Sequence, residues 1–165
     1  MKVSMNQIEI KNAQENDIPL ILTFIKELAH YEKLAHVVVA TEENLREHLF
    51  GANPKAEVVL AYFENEPVGF ALFFHNFSTF VGRPGIYLED LFVRESMRGK
   101  GIGKALLVHL AKIAVERNCG RFEWAVLDWN SPAIEFYKSL GALPVDDWTI
   151  FRLAGDSLQN LARQK

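Results

Sequence analysis

Between Arg98 and Leu107 the chain reads RGKGIGKALL, with Gly99, Gly101 and Gly103 interleaved with Arg98, Lys100 and Lys104. The stretch follows a run that reads as a strand and opens one with helical spacing. First-turn amides of a helix lack internal partners and sit at the positive end of the helix dipole, so such a turn binds anions, and glycines admit a bulky pyrophosphate to the backbone. Spacing separates the known forms of this device. A Walker loop needs G-x-x-x-x-G-K-[ST] and a dinucleotide fingerprint needs G-x-G-x-x-G. Counted from Gly99, the last glycine of either would fall on Lys104, and a fingerprint counted from Gly101 would end on Leu106, so neither fits. Just upstream, YLED places Glu89 and Asp90 side by side on a predicted strand, where neighbours point to opposite faces and one of the two is expected to face a cleft.

The elements that must position these groups are legible along the chain. QIEIKNA alternates as a strand. Asp17 and Pro19 mark the start of a helix through IPLILTFIKELAHYEKL, and Thr41 with Glu42 and Glu43 caps a shorter helix ending near Phe50. AEVVLAYF and PVGFALFFHNF, joined by ENE, predict a hairpin. The loop STFVGRPG, the strand IYLEDLFV, the glycine turn and a helix to about Asn118 follow. RFEWAVL is the next predicted strand, and Ser131 and Pro132 cap and open a helix stopping at Gly141. WTIFRL predicts a last strand, and the tail from Asp156 a helix. This order predicts a mixed α/β fold led by an antiparallel meander, as one domain over residues 1–165.

Composition excludes several classes. A net charge of -3 supplies no field for holding a phosphodiester backbone, so nucleic acid is not an expected partner. No apolar run reaches the roughly 20 residues of a membrane span, and MKVSMNQIEIKNAQEND lacks a signal-peptide core, so a soluble, cytoplasmic protein is expected. Cys119 is the only cysteine, which excludes an internal disulfide and reads as a packed apolar residue. His30, His36, His48, His75 and His109 lack metal-like spacing, and no metal is assigned.

The pattern that does fit is Arg98-x-x-Gly101-x-Gly103, the R/Q-x-x-G-x-G/A signature of the GCN5-related N-acetyltransferase (GNAT) superfamily. YLEDLFVRESMRGKGIGKALL with AVLDWNSPAIEFYKSLGA resembles its diamine (spermidine/spermine) and thialysine N-epsilon-acetyltransferase branch over nearly the whole chain, nearer the thialysine side in STF, GR, IYLED and AVLDWN. The resemblance implies a GNAT fold with splayed central strands that hold acetyl-CoA as cosubstrate. It places the pyrophosphate on the amides of Arg98, Gly99, Lys100, Gly101, Ile102, Gly103 and Lys104, and the pantetheine arm by Asn130.

Direct transfer to a primary amine in a ternary complex is the implied reaction. An unperturbed lysine-like ammonium has a pKa of about 10.4, leaving about one molecule in a thousand neutral near pH 7.4, so a base is useful. The resemblance selects Glu89, acting through a water. A backbone N–H within Leu91, Phe92 and Val93 would stabilise the developing oxyanion. The leaving thiolate needs a proton, and Tyr137 in IEFYKSLGA matches the general acid of the family. Glu32, Glu89, Asp90 and Trp148 match positions around the cleft mouth that hold a cationic amine through charge and aromatic faces. Ser78 stands where the polyamine branch carries a carboxylate, which favours a single-amine side chain such as lysine or thialysine. A homodimer paired through the C-terminal elements is also implied. The alternatives are an acetyltransferase of protein or peptide amines and a non-catalytic CoA-binding sensor.

Overall fold

The computed structural model describes residues 7–164; the start of the segment examined above for a leader, residues 1–6, lies outside the described residues. The chain forms two compact units, Met1–Ala125 and Val126–Lys165.

The first unit is built on a five-stranded sheet in sequence order. Its strands are β1 (Ile8–Asn12), β2 (Glu57–Phe63), β3 (Glu66–Ser78), β4 (Arg83–Val93) and β5 (Phe122–Trp124). The first four run antiparallel, as the expected meander, and β5 pairs parallel to β4. The β2–β3 turn is two residues, Glu64 and Asn65, both at positive φ, the conformation that matches the right-handed twist of a hairpin. The expected loop STFVGRPG shrinks to four residues because Arg83–Gly85 extend β4. Buried Ser78 closes this turn, accepting from the Val81 N–H through Oγ and from the Gly82 N–H through its carbonyl.

Helix α1 (Ile18–Tyr31) has Asp17 at its N-cap and Pro19 in its first turn, as expected. It stops short of Leu34, because Lys33 takes a left-handed φ of 62°. Its apolar stripe, Ile21, Phe24 and Leu28, packs with Val58, Leu60, Phe70 and Phe92 on one face of the sheet. Phe24 lies stacked on Phe70, with ring centroids 5.7 Å apart, and tilted against Phe92 at 6.1 Å. Full burial of rings of this size contributes roughly 2–3 kcal/mol each. Thr41 caps α2 (Glu42–Leu45) in a reciprocal box with Asn44, and a π-type turn carries the chain to Phe50. Helix α3 (Ile102–Glu116) packs on the sheet through Ile102, Leu106, Leu107 and Leu110.

The second unit holds α4 (Ser131–Ser139) and α5 (Gly155–Ala162). Asn130, one residue before the expected cap, is the N-cap of α4, and Gly141 at φ 89° follows its end. The expected strand WTIFRL is irregular. A strand is stabilised by a neighbour's backbone groups, and among the described residues of this unit there is no other strand to supply them. β5 likewise ends at Trp124, short of the predicted RFEWAVL. Among the described residues no helix is long and apolar enough to cross a membrane.

Candidate active site

β4 carries the feature that organises the first unit's chemistry. Its register against β3 pairs Leu88 with Phe73 and Asp90 with Leu72, so Glu89 is an extra residue, a β-bulge. The bulge reverses the parity of the strand. Before it, Leu88 shares a face with Phe73; after it, Asp90 and Phe92 share the opposite face with Leu72 and Phe70, the side covered by α1. Strict alternation does not apply across the bulge, and Leu88 and Asp90, two residues apart, lie on opposite faces. Exposed Glu89 and the more buried Asp90 are close enough to interact, and Glu32, the C-cap residue of α1, joins them. Asp90 is pushed up from 3.8 to about 6, first by burial and then by the charges of Glu89 and Glu32. Burial also raises Glu32 from its ordinary value. These carboxyl groups concentrate negative potential at this end of β4.

The same bulge turns backbone donors outward. Ile86 N–H, before it, bonds to Arg121 on the β5 side, whereas Arg94 N–H, after it, bonds to Val68 on the β3 side at 2.9 Å. Successive N–H groups alternate along a strand, so those of Leu91 and Val93 face the edge that β5 has left. Among the described residues, β4 and β5 pair over Ile86–Leu88 and Phe122–Trp124 and not beyond, so the ladder between them stops before Leu91 and Val93. Half-buried Leu91 and Val93 flank the core residue Phe92.

Beyond β4 the chain enters the glycine turn. Gly99 and Gly101 take φ of 75° and 85°, and a Cβ at either would meet nothing within 4 Å, so backbone conformation rather than space calls for glycine. Gly101 is the N-cap of α3, whose first internal bond runs from Ala105 N–H to Gly101 carbonyl at 2.9 Å. The amides of Ile102, Gly103 and Lys104 therefore precede the helical ladder. Exposed turn, amides and dipole together fit a pyrophosphate.

The cations of the turn have definite contacts. Arg98 Nε donates to the Val93 carbonyl at 3.0 Å, and its guanidinium lies 4.1 Å from the Tyr31 ring centroid and 3.6 Å from Glu95. Lys100 Nζ lies 5.0 Å from the Phe63 ring centroid, and Lys104 is exposed.

Two residues that sequence reasoning passed over brace the start of this turn. Arg94 makes a two-pronged bond to Glu27 of α1, with both contacts at 3.0 Å, donates to the Pro67 carbonyl, and covers the Phe24 ring at 5.0 Å. Phe24, Glu27 and Tyr31 recur at helical spacing on α1, the one signal that could have linked them.

In the second unit, Asn130 Oδ1 accepts from Ala133 N–H, as a helix cap does. Half-buried Tyr137 lies on α4 with its ring 5.5 Å from Phe136. Trp148 lies in the irregular segment and is 75% exposed. Among the described residues, no three His, Cys, Asp or Glu side chains are grouped to hold a metal ion.

A meander, a bulged fourth strand with an open edge, and a glycine turn feeding a helix define an acetyltransferase fold. The model of the acetyltransferase (GNAT) family matches residues 25–142, and the chain belongs to that family. It is an acetyl-CoA-dependent N-acetyltransferase. Among curated proteins it is similar to the thialysine N-epsilon-acetyltransferase of Sus scrofa, 39% identical over 96% of this chain and 99% of the relative. The L-ornithine N5-acetyltransferase of Arabidopsis thaliana is 34% identical over 91% of this chain and 86% of the relative. Among solved structures, an integron cassette protein from the mobile metagenome of V. cholerae superposes with a TM-score of 0.79 at 32% identity, covering 96% of this chain and 99% of that one.

Proposed function

We propose that the chain acetylates the primary amine of a small molecule of thialysine, lysine, ornithine or diamine type, by direct transfer from acetyl-CoA in the cytoplasm. The observation that carries the reading is the placement of Glu89 and Asp90 on the strand that leads into the glycine turn, within electrostatic reach of Glu32 at the end of α1. Three carboxyl groups within electrostatic reach of one another favour a cationic substrate, and the names of the relatives point the same way.

In this reading the ammonium docks against Asp90 and Glu32, while exposed Glu89 takes its proton through a water. Acetyl-CoA supplies the activated acetyl group. The amides of residues 98–104 hold its pyrophosphate, and Lys100 and Lys104 add charge. Asn130 serves its pantetheine arm. The outward N–H of Leu91 or Val93 stabilises the charge that develops on the carbonyl oxygen, worth about 3 kcal/mol for a well-placed donor. Tyr137 returns a proton to the departing sulfur, and Trp148 supplies an aromatic face to the cation.

The enzyme works as a homodimer, with neither nucleic acid nor metal taking part. Support for a pairing surface comes from the second unit: none of its described residues is buried, and Ile150 and Phe151 are 74% and 91% exposed. Apolar exposure on that scale marks an interaction surface.

The test is release of free thiol from acetyl-CoA with thialysine, lysine, ornithine, spermidine, short diamines and an amine-bearing peptide, for wild type and Tyr137→Phe. Turnover on a small amine that falls about a hundredfold or more in the variant supports both the substrate class and the acid. Turnover on the peptide alone, or on nothing while acetyl-CoA binds, overturns the small-amine reading.

A further inference from the structure

The open edge of β4 presents the Val93 carbonyl as well as the Val93 N–H, since the two groups of one residue point the same way along a strand. That carbonyl is taken by Arg98 Nε at 3.0 Å. The guanidinium that makes this bond rests on the face of Tyr31, 4.1 Å from its centroid, at the last residue of α1. Arg98 thus closes a staple from the glycine turn back to the end of β4, and Tyr31 is the surface that holds the staple shut. Arginine suits this place because its planar group donates in its own plane while stacking on a ring.

We propose that Tyr31 is a positioning residue for the acetyl-CoA turn, acting through Arg98. With the guanidinium on Tyr31, the Val93 carbonyl is satisfied from within the protein, its N–H stays directed into the open edge, and residues 94–101 keep the path that presents the α3 amides. Without the ring the guanidinium swings into solvent, and the turn loosens. Glu32, the next residue, stands in the acidic cluster, so the end of α1 braces the cosubstrate turn and borders the amine site at once. The proposal rests on the reading that this turn binds acetyl-CoA, and does not depend on which amine is acetylated.

The experiment is a double-mutant cycle on the full chain with Tyr31→Leu, Tyr31→Phe, Arg98→Gln and the Tyr31→Leu/Arg98→Gln pair. It is read by calorimetric affinity for acetyl-CoA and by amide hydrogen exchange over residues 93–101 without ligand. Tyr31→Leu is expected to weaken acetyl-CoA about fivefold and to speed exchange in that segment, the size of a partly solvated cation–π contact. Tyr31→Phe, which keeps the ring, should restore both. In the Arg98→Gln background Tyr31→Leu should have no further effect. The proposal is overturned if Tyr31→Leu behaves as wild type in both readouts, if Tyr31→Phe is as impaired as Tyr31→Leu, or if the loss persists undiminished without Arg98. A wild type that binds acetyl-CoA but turns over no amine would count against the substrate reading and leave this cycle intact. A wild type that fails to bind acetyl-CoA would overturn the cosubstrate assignment, while exchange would still report whether Tyr31 orders the turn.

Discussion

Replacing Asp90 by asparagine should make the protein more stable and less active, and the size of the gain should depend on pH. Burial and the charges of Glu89 and Glu32 raise Asp90 from 3.8 to about 6 in the folded chain. The difference corresponds to about 3 kcal/mol against the ionised carboxyl in the fold. Between about pH 4 and 6 the folded chain holds a proton that the unfolded chain has released. The contribution of Asp90 to stability is therefore fully present below about pH 4 and lost as pH rises through 6. Asparagine carries no such cost. Asp90→Asn should thus exceed wild type by up to about 3 kcal/mol at pH 7.5, with the gap closing toward zero near pH 4. Urea unfolding of both proteins from pH 4 to 8 reads this directly. A difference that stays flat across the range would refute the assignment of a strained carboxylate to this site. In the proposed reading the same carboxylate is the counter-charge for the amine, so KM for a cationic substrate should rise as pH falls through 6, and the pH-dependence should weaken in Asp90→Asn.

Two further substitutions test the turn and its brace. Gly101→Ala meets no steric obstacle but must hold an L-residue at φ 85°, so it should cost about 1–2 kcal/mol of stability and weaken acetyl-CoA in calorimetry; affinity equal to wild type would show that the left-handed cap is dispensable. Arg94→Lys keeps the charge but loses the fork to Glu27 and the Pro67 bond. With both side chains more than a third exposed, the loss after screening should be about 1 kcal/mol in chemical denaturation, and an unchanged midpoint would mark the pair as ornamental.

Much of this molecule could be read from local pattern. Alternation in QIEIKNA specified β1, apolar runs bounded by turn residues specified β2 to β4, helical spacing specified α1, and Thr41 marked the start of α2, because capping and side-chain patterning are properties of a few neighbouring residues. The glycine turn was legible as a short motif, and the family through the resemblance that motif carries.

What the chain could not announce locally was decided by its neighbours in space. The bulge at Glu89 exists only relative to β3, and it alone determines that Asp90 joins Glu32 and that Leu91 and Val93 turn their N–H groups to an open edge. The contacts of Arg94 with Glu27 and of Arg98 with Tyr31 join residues 67 positions apart in sequence, beyond the reach of any local pattern. WTIFRL has the composition of a strand and does not form one, since composition supplies side chains to one face whereas a strand also requires a partner's backbone. Periodicity and capping are written into consecutive residues; register, burial and charge proximity arise only when distant segments meet.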